Sequence, residues 1–305
     1  MAQVALITGS TSGIGLGIAR ALASKGRSIL ITGFGNDQLI HKHKTEIERY
    51  CLHKCSSTIF NYNVPVTYIG GDLSREDDVI GICNQVRSHY PGGVDILVNN
   101  AERTQTDNVH GFRILNSFNF FHSAICEYSL LLLFFFQGFQ FISPVEDFPL
   151  DKWNSMISVM LTAPFLLTQN LLPGMRTKGW GRIINISSVH GHVASINKSA
   201  YVTAKHGIQG LTKVVALETA RSGVTCNAIC PGWVSTELFE KQVDEISEQR
   251  GISWQDAKEV LLEKHPSKEC TTMEQVGEAV NFICSSACDN MTGSSLVLDG
   301  GWTAV

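Results

Sequence analysis

The residues of this chain that are best suited to chemistry are Tyr201, Lys205 and Ser188. Tyr201 and Lys205 are spaced to lie one turn apart on the same face of a helix. A phenol normally ionises near pH ~10, and a neighbouring ammonium group favours the phenolate and lowers that value. The pair could therefore act as an acid and base near neutral pH, with Ser188 holding the substrate oxygen. The Y-x-x-x-K spacing alone is a weak indication, because a pair on a helix surface matches it equally well.

A glycine-rich loop near the start of the chain adds to this pattern. The sequence TGSTSGIG follows an apolar stretch at residues 4–7 and precedes a helical pattern of apolar residues. Gly9, Gly13 and Gly15 would let the backbone turn sharply and approach a pyrophosphate, which would bind the N–H groups at the helix start. The spacing is G-x-x-x-G-x-G rather than G-x-G-x-x-G. An ordinary strand-to-helix turn explains the loop alone, but not the loop together with Y-x-x-x-K.

These motifs together resemble the short-chain dehydrogenase/reductase family. The resemblance covers nearly the whole chain and includes Asp72-Leu73, Asn99-Asn100-Ala101 and Pro231-Gly232, each after a predicted strand. Within the family, the chain is most similar to the bacterial-type D-3-hydroxybutyrate dehydrogenases. The segments that carry this closer similarity are GSTSGIGLGIAR (9–20), NKSAYVTAKHG (197–207), ALETA (216–220), NAICPGWV (227–234) and DGGWTA (299–304).

The resemblance implies transfer of a hydride between NAD and a small 3-hydroxy acid, in the interconversion of (R)-3-hydroxybutyrate and acetoacetate. Tyr201 would take the hydroxyl proton, Lys205 would lower the pKa of Tyr201 and hold the nicotinamide ribose, and Ser188 would orient the oxygen. The cofactor contacts that it implies, besides Tyr201 and Lys205, are Gly9, Thr11, Ser12, Gly13, Ile14, Gly15, Phe34, Asp72, Leu73, Asn99, Ala101, Pro231, Gly232 and Val234.

The resemblance also implies a set of substrate contacts. An ammonium group together with amide and imidazole donors can neutralise and orient a carboxylate. Each residue taken singly could instead be an ordinary surface or loop residue. The expected carboxylate contacts are Gln140, His190, Lys198 and Gln242, and the expected apolar wall around the carbon chain is Trp233 and Trp302.

The choice of cofactor is predicted from the residues after the second strand. An acid there would hold the ribose 2′-hydroxyl of NAD, and an arginine would hold the 2′-phosphate of NADP. The sequence reads Gly33-Phe34-Gly35-Asn36-Asp37 and has no basic residue close by. This favours NAD, although Asp37 could simply cap the next helix.

Composition limits the possible partners. The net charge of −4 and the lack of basic runs argue against a nucleic-acid partner. The nine cysteines are scattered, so we expect reduced thiols and a cytoplasmic location. Cys51, His53 and Cys55 lack a matching distal pair, so we expect no metal site. The first predicted strand begins at Val4, so we expect no leader peptide. We also expect no membrane anchor, because the longest apolar run of the predicted insertion, residues 130–136, is too short to span a bilayer.

Apolar strands alternate with helical patterns along the chain, as a parallel sheet requires. We therefore predict an α/β fold, with one domain spanning residues 1–305 around a doubly wound parallel (Rossmann) sheet. The polar segment 235–266 is predicted to cover the substrate as a mobile lid. The predicted strands are 4–8, 28–33, 66–70, 95–99, 182–187, 224–230 and 295–298, and the predicted helices are 13–25, 37–54, 75–88, 151–177, 199–221 and 273–285.

Two departures from the family bear on activity. Met160 stands where the family usually has an asparagine that anchors a water chain behind the lysine, and a thioether cannot donate a hydrogen bond. The second departure is Ala101-Glu102, where the family continues from alanine to a glycine; the expected continuation reappears at Gly138. The chain could therefore be an active dehydrogenase or an impaired relative that still binds NAD or joins an oligomer. The resemblance implies a homotetramer.

Residues 102–137 are predicted to be an insertion after the fourth strand. Its apolar run at 130–136 falls far short of the ~20 residues that span a bilayer. Phenylalanine and leucine codons are rich in pyrimidines, so this run followed by Gln137-Gly138 matches the end of an intron. The start matches less well, because no glutamate codon opens with GT. A translated intron and a genuine lineage-specific loop both remain open.

Overall fold

The computed structural model describes residues 2–54, 64–102 and 141–304 of the chain. Seven parallel strands form one sheet in the order β3-β2-β1-β4-β5-β6-β9, and β7 and β8 pair as a second, two-stranded sheet. Most strands of the large sheet are short apolar runs buried on both faces, as parallel sheets covered by helices require. The strands are β1 (Val4–Ile7), β2 (Ser28–Ile31), β3 (Val66–Tyr68), β4 (Ile96–Asn99), β5 (Gly181–Ile186), β6 (Val224–Pro231), β7 (Val234–Ser235), β8 (Thr271–Thr272) and β9 (Ser295–Leu298).

Helices cover both faces of the large sheet. Alternate residues of one strand enter different cores: Ala5 and Ile7 of β1 pack on one side, and Val4 and Leu6 pack on the other. The first core is completed by α1, α2 and α9, and the second by α3, α5 and α6. The helices are α1 (Gly13–Ala23), α2 (Asp37–Lys54), α3 (Glu76–His89), α4 (Leu150–Ile157), α5 (Ala163–Lys178), α6 (Ser199–Thr219), α7 (Glu237–Arg250), α8 (Trp254–Leu261) and α9 (Met273–Ile283).

The doubly wound parallel sheet is confirmed. Each predicted strand and helix is present, with ends that differ by at most two residues, which is the usual uncertainty of element boundaries. The helix predicted at 151–177 is not continuous, because a π-helical turn at Ser158–Thr162 separates α4 from α5. The segment predicted as a lid contains α7 and α8. Residues 103–137 of the predicted insertion and Gln140 lie outside the described residues.

One described stretch, Leu150–Lys178, is long and apolar enough to cross a membrane by length and composition alone. It consists of α4, the π-helical turn and α5. Leu167, Leu171 and Met175 on this stretch are buried in the core between α5 and the sheet. Core helices of globular folds meet the same criterion.

Candidate active site

The glycine loop between β1 and α1 is shaped by its backbone. Gly9 has a φ of +62°, which only glycine adopts readily, and a Cβ there would lie 2.8 Å from the Cα of Ala101. A Cβ on Gly15 would overlap the carbonyl oxygen of Gly9. The helix begins after Ser12, whose side chain makes no capping hydrogen bond. Helix-start N–H groups left without a side-chain cap, next to a tight glycine turn, suit an anionic group such as a pyrophosphate.

Asn100 and Thr8 fix the loop to the end of β4. The Asn100 side chain donates to the carbonyl oxygens of Thr8 and Gly9, at 2.9 and 3.2 Å. The Thr8 hydroxyl accepts from the backbone N–H groups of Asn100 and Ala101, at 2.9 and 3.0 Å. Sequence analysis did not assign Asn100 and Thr8 to the site. The Asn99-Asn100-Ala101 motif pointed to this region, but Thr8, the partner of Asn100, lies 92 residues away in the chain.

The connection after β2 is tied to the glycine loop through its backbone, while its Phe34 side chain faces solvent. The Thr11 hydroxyl donates to the carbonyl oxygen of Phe34 at 2.9 Å, and the Phe34 side chain is 72% exposed. The suggestion that Asp37 caps the next helix is wrong. Asn36 is the cap, since its side-chain oxygen accepts from the N–H of Leu39 at 2.9 Å. Asp37 is the first residue of α2.

The other predicted cofactor contacts lie at the carboxyl ends of the strands. Asp72 follows β3 and accepts from the backbone and hydroxyl of Ser74, at 2.8 and 2.7 Å. Leu73 is buried beside it. Asn99 ends β4 and donates to the side chain of Asn185 at 2.8 Å, while its own side-chain oxygen has no hydrogen-bond partner among the described residues.

Pro231 ends β6, Gly232 follows it, and Val234 begins β7. The N–H of Gly232 donates to the carbonyl of Leu298 in β9 at 2.9 Å, and a Cβ on Gly232 would overlap the ring of His265. These three predicted contacts therefore lie where β6 leaves the sheet and the chain enters the segment that contains α7 and α8.

Tyr201 and Lys205 lie on the first turns of α6 and are both buried. The Lys205 Nζ is 5.3 Å from the centre of the Tyr201 ring and donates to the carbonyl of Ile186 at 3.0 Å. Ser188 follows β5, and its hydroxyl accepts from the N–H of His190 at 3.2 Å. The end of β5 and the start of α6 thus bring the predicted acid–base pair and the predicted oxygen ligand into one region.

A carboxylate also reaches this pair. Glu102 Oε1 lies 2.5 Å from the Nζ of Lys205 and accepts from the hydroxyl of Tyr201 at 3.3 Å. Sequence analysis noted Glu102 only as the residue that replaces an expected glycine. Its contact with α6 could not be predicted from spacing, because the two segments are far apart in the chain.

His190 and Lys198 form the polar side of the site. Burial, with a smaller contribution from Lys198, Lys264 and Lys205, lowers the pKa of His190 to about 3, so its imidazole is neutral at physiological pH. Burial, with repulsion from Lys264, lowers the pKa of Lys198 to about 8, and Glu102 opposes this shift. Lys198 therefore still carries most of its charge at pH 7. Lys264, which sequence analysis missed, adds positive potential to the same region.

Aromatic rings enclose this polar group. The His190 ring packs edge-on against Tyr201 and Trp302, with centroids 5.7 and 5.5 Å apart. Trp302 also packs against the ring of His265, with centroids 5.4 Å apart. The His265 Nε2 accepts from the backbone N–H of Trp233 at 3.1 Å. His265 was not predicted, and it is the link between the two predicted tryptophans.

Gln242 lies on α7 and is 3% exposed. Its side-chain oxygen has no hydrogen-bond partner among the described residues. A buried amide oxygen without a partner costs free energy unless another group pairs with it. The prediction that Gln242 contacts a substrate remains untested, as does that for Gln140, which lies outside the described residues.

Met160 lies in the π-helical turn between α4 and α5. It is 5% exposed and packs with Met156, Ala200, Tyr201 and Ala204. The thioether therefore fills an apolar space behind the tyrosine. Among the described residues, no group of three His, Cys, Asp or Glu side chains could hold a metal ion.

Comparison with known families accounts for this arrangement. Residues 3–119 match the profile of the short chain dehydrogenases, and residues 134–303 match that of the enoyl-(acyl carrier protein) reductases. The chain belongs to the short-chain dehydrogenase family. It is therefore an oxidoreductase enzyme of a family that uses a nicotinamide cofactor.

Two curated relatives of this dehydrogenase are similar over almost their whole length. It is 41% identical to a D-beta-hydroxybutyrate dehydrogenase of Cupriavidus necator, over 99% of this chain and 98% of that protein. It is 39% identical to a protein of the same name from Rhizobium meliloti, over 100% of both chains.

Among solved structures, the L-sorbose reductase of Gluconobacter frateurii, determined with NADPH and L-sorbose, superposes with a TM-score of 0.79. The comparison covers 100% of this chain and 97% of that chain at 24% sequence identity. This similarity shows the fold.

Proposed function

We propose that this short-chain dehydrogenase oxidises (R)-3-hydroxybutyrate to acetoacetate with NAD, and catalyses the reverse reaction. The observation that carries the proposal is the placement of a partly buried lysine and a neutral histidine, Lys198 and His190, beside Tyr201 and Lys205. This arrangement supports a site for a small anion next to an acid–base pair. The two curated relatives named D-beta-hydroxybutyrate dehydrogenase support the same substrate.

The glycine loop fits a nicotinamide cofactor, because its turn is too tight for a Cβ at Gly9 or Gly15, which would meet Ala101 or the Gly9 carbonyl, and because the first N–H groups of α1 have no side-chain cap. When bound, the cofactor supplies the hydride acceptor. Tyr201, as phenolate, accepts the proton of the substrate hydroxyl, and the Lys205 ammonium group stabilises the negative charge on its oxygen. Ser188 donates a hydrogen bond that orients the substrate oxygen. In the reverse direction, Tyr201 returns the proton to the carbonyl oxygen.

The substrate carboxylate would bind between Lys198 and His190, with Gln242 and Gln140 as further amide contacts. The ammonium group of Lys198 neutralises its charge, and the neutral imidazole supplies one N–H donor. Trp233 and Trp302 close an apolar wall that suits a short carbon chain. Segment 235–266 would act as the lid, since it carries Gln242 on α7 and begins two residues after Trp233.

NAD is proposed rather than NADP because residues 33–37, directly after β2, include no lysine or arginine. The 2′-phosphate of NADP carries a charge near −2 and would lie unpaired beside Phe34 and Gly35. The solved structure with NADPH is only 24% identical, so it supports the fold and not the cofactor choice.

A homo-oligomer is proposed because large apolar side chains are exposed on the outer face of α5 and α6. Phe165, Val214 and Leu217 are 46%, 51% and 80% exposed, and the last two lie on one face of α6. Exposed apolar groups on neighbouring helices are typical of surfaces that pair with another chain.

An impaired relative is the second candidate. It is favoured by Met160, which cannot relay a proton, and by Glu102, which already pairs with Lys205. Such a protein would still bind NAD or join an oligomer.

We also propose that residues 102–137 derive from a translated intron. The leucines and phenylalanines of 130–136 can be encoded by pyrimidine-rich codons, and with Gln137-Gly138 after them they support this origin. Sequencing mature transcripts tests it, and uniform presence of these codons would make the segment a genuine loop.

The experiment that separates the two candidates measures turnover of NAD and (R)-3-hydroxybutyrate by the full chain and by a variant that lacks residues 102–137. The deletion joins Ala101 to Gly138, which places a small residue after Ala101 and removes Glu102. We expect both proteins to be active and the deletion variant to be faster and more soluble. Binding of NAD without turnover by either protein would favour the impaired relative.

A further inference from the structure

Glu102 is the charged group nearest to the Tyr201–Lys205 pair that the proposed mechanism does not use. The same carboxylate oxygen, Oε1, contacts both residues: it lies 2.5 Å from the Nζ of Lys205 and 3.3 Å from the hydroxyl of Tyr201. The Lys205 side chain is 2% exposed and that of Glu102 is 22% exposed. An ion pair with this little access to water is weakly screened, so the attraction between Glu102 and Lys205 is little weakened by salt.

The backbone before Glu102 fixes it at this place. Ala101 packs against Gly9 of the glycine loop, and its N–H donates to the Thr8 hydroxyl at 3.0 Å. Glu102 therefore leaves the sheet between the candidate cofactor loop and the start of α6. Its side chain crosses that space and ends at the two groups that the proposed mechanism needs.

The contacts of Glu102 oppose the proposed roles of both groups. The Tyr201 hydroxyl donates a hydrogen bond to the carboxylate, whereas the mechanism requires that the phenol oxygen accept a proton from the substrate. Lys205 is paired with a full negative charge, which cancels the stabilisation it would give a phenolate. A hydroxyl group that binds to both Tyr201 and Lys205 would have to take the position of the Glu102 oxygen.

We propose that Glu102 is an internal competitor of the cofactor and substrate: its carboxylate occupies the shared position on Tyr201 and Lys205 and must leave before a ribose hydroxyl and a substrate oxygen bind there. This inference rests on the proposed function, since that function assigns the ribose contact to Lys205. Binding then includes a displacement step. The apparent affinity for NAD equals the intrinsic affinity multiplied by the fraction of molecules in which Glu102 is withdrawn, so a small fraction weakens binding.

The test compares Glu102→Gln and Glu102→Ala with the parent chain. Glu102→Gln keeps the size and removes the charge, and Glu102→Ala removes the group. Glu146→Gln is the matched control, because Glu146 is an exposed acid in the turn Val145–Asp147. Titration calorimetry with NAD and NADH gives affinity, and thermal unfolding with and without NAD shows that each variant folds.

We expect Glu102→Ala to bind both cofactor forms about tenfold more tightly or better, which corresponds to a parent in which roughly one molecule in ten has Glu102 withdrawn. Glu102→Gln should show a smaller gain and Glu146→Gln none. Without NAD, Glu102→Ala should unfold at a lower temperature than the parent, because Lys205 loses its partner. With saturating NAD, the gain in unfolding temperature should be larger for Glu102→Ala than for the parent.

Affinity that is unchanged or weaker in Glu102→Ala would overturn the proposal, and so would an absence of NAD binding by all variants. A loss of turnover at unchanged affinity would also overturn it, because Glu102 would then assist the reaction. Failure of the proposed function looks different: NAD affinity would rise in Glu102→Ala as expected, but (R)-3-hydroxybutyrate would not be oxidised.

Discussion

The glycine loop and the Tyr201–Lys205 region lie at the same edge of the sheet but are built differently. The loop between β1 and α1 offers backbone groups, and at Gly9 and Gly15 it has no room for a side chain, since a Cβ there meets other backbone atoms. The region at the start of α6 offers side chains, and it admits the additional carboxylate of Glu102 by pairing its charge. A site made of backbone therefore tolerates little change in sequence, whereas a site made of side chains can accept a new group and change its chemistry.

The largest expected effect is on the side-chain region. Tyr201→Phe removes only the hydroxyl, so turnover should fall by roughly 10²–10⁴-fold, the usual contribution of a general acid or base. NAD affinity should stay within a few-fold, because the backbone loop is unchanged. Rate and calorimetric measurements check both values. Tyr90→Phe, at the end of α3, is the control and should change neither. A Tyr201→Phe variant that keeps most of its rate would show that another group transfers the proton.

Cofactor choice tests the surface next to the loop. NADP should bind about a hundredfold or more weakly than NAD, because a phosphate there has no cationic partner. Gly35→Arg should narrow this difference by supplying a cation, since a Cβ on Gly35 makes only ordinary contacts with Leu39 and Ile40. Calorimetry with both cofactors measures the ratio. Equal affinities in the parent chain would contradict the assignment of NAD.

Gly15→Ala tests the backbone region directly. The added methyl group overlaps the Gly9 carbonyl oxygen, so the loop must shift, and overpacking of this kind costs roughly 1–3 kcal/mol. We expect NAD affinity to fall by roughly tenfold to a hundredfold. Gly81→Ala on α3 is the control, because nothing lies within 4 Å of its added Cβ. If Gly15→Ala binds NAD as tightly as Gly81→Ala, the loop is not the cofactor cradle.

The smallest expected effect is the pH dependence of substrate binding. Burial lowers the pKa of Lys198 to about 8, so its ammonium group is lost as the pH rises through that value. The KM for 3-hydroxybutyrate should therefore rise above pH 8, by no more than about tenfold per pH unit for one proton. His190, with a pKa of about 3, should give no inflection between pH 5 and 7. Lys198→Met should raise KM and remove the dependence above pH 8; an inflection that persists in this variant would assign it to another group.

The sequence predicts the backbone region better than the side-chain region. Strands of four buried apolar residues and a glycine loop between strand and helix are local patterns, and the structure contains them within two residues of their predicted ends. The contact of Glu102 with Lys205 and the link of His265 to Trp233 join segments that are far apart in the chain. Spacing carries no information about such contacts.

The π-helical turn at Ser158–Thr162 escaped prediction for a related reason. Its residues continue the apolar periodicity of α4 and α5, so the sequence predicts one continuous helix. The extra residue of the turn is accommodated where Met160 packs against Tyr201 and Ala204 of α6. Tertiary packing decides the hydrogen-bond pattern of this segment, because helix propensity alone does not distinguish an α-helical turn from a π-helical turn.

The pairing of β7 with β8 has a consequence for the proposed lid. Val234 lies opposite Thr271, and Ser235 lies opposite Thr272, so both ends of the segment that contains α7 and α8 are joined at one narrow neck. The segment is thus a loop whose ends are already together, and its opening and closing involve no further loss of loop-closure entropy. Motion about the neck would be opposed by contacts such as the backbone hydrogen bond from Ser267 to the Gly300 carbonyl at 3.0 Å and the packing of Trp233 on Phe239 at 5.7 Å. If the segment moves as the proposed lid, the neck would set its axis and those contacts would set its resting position.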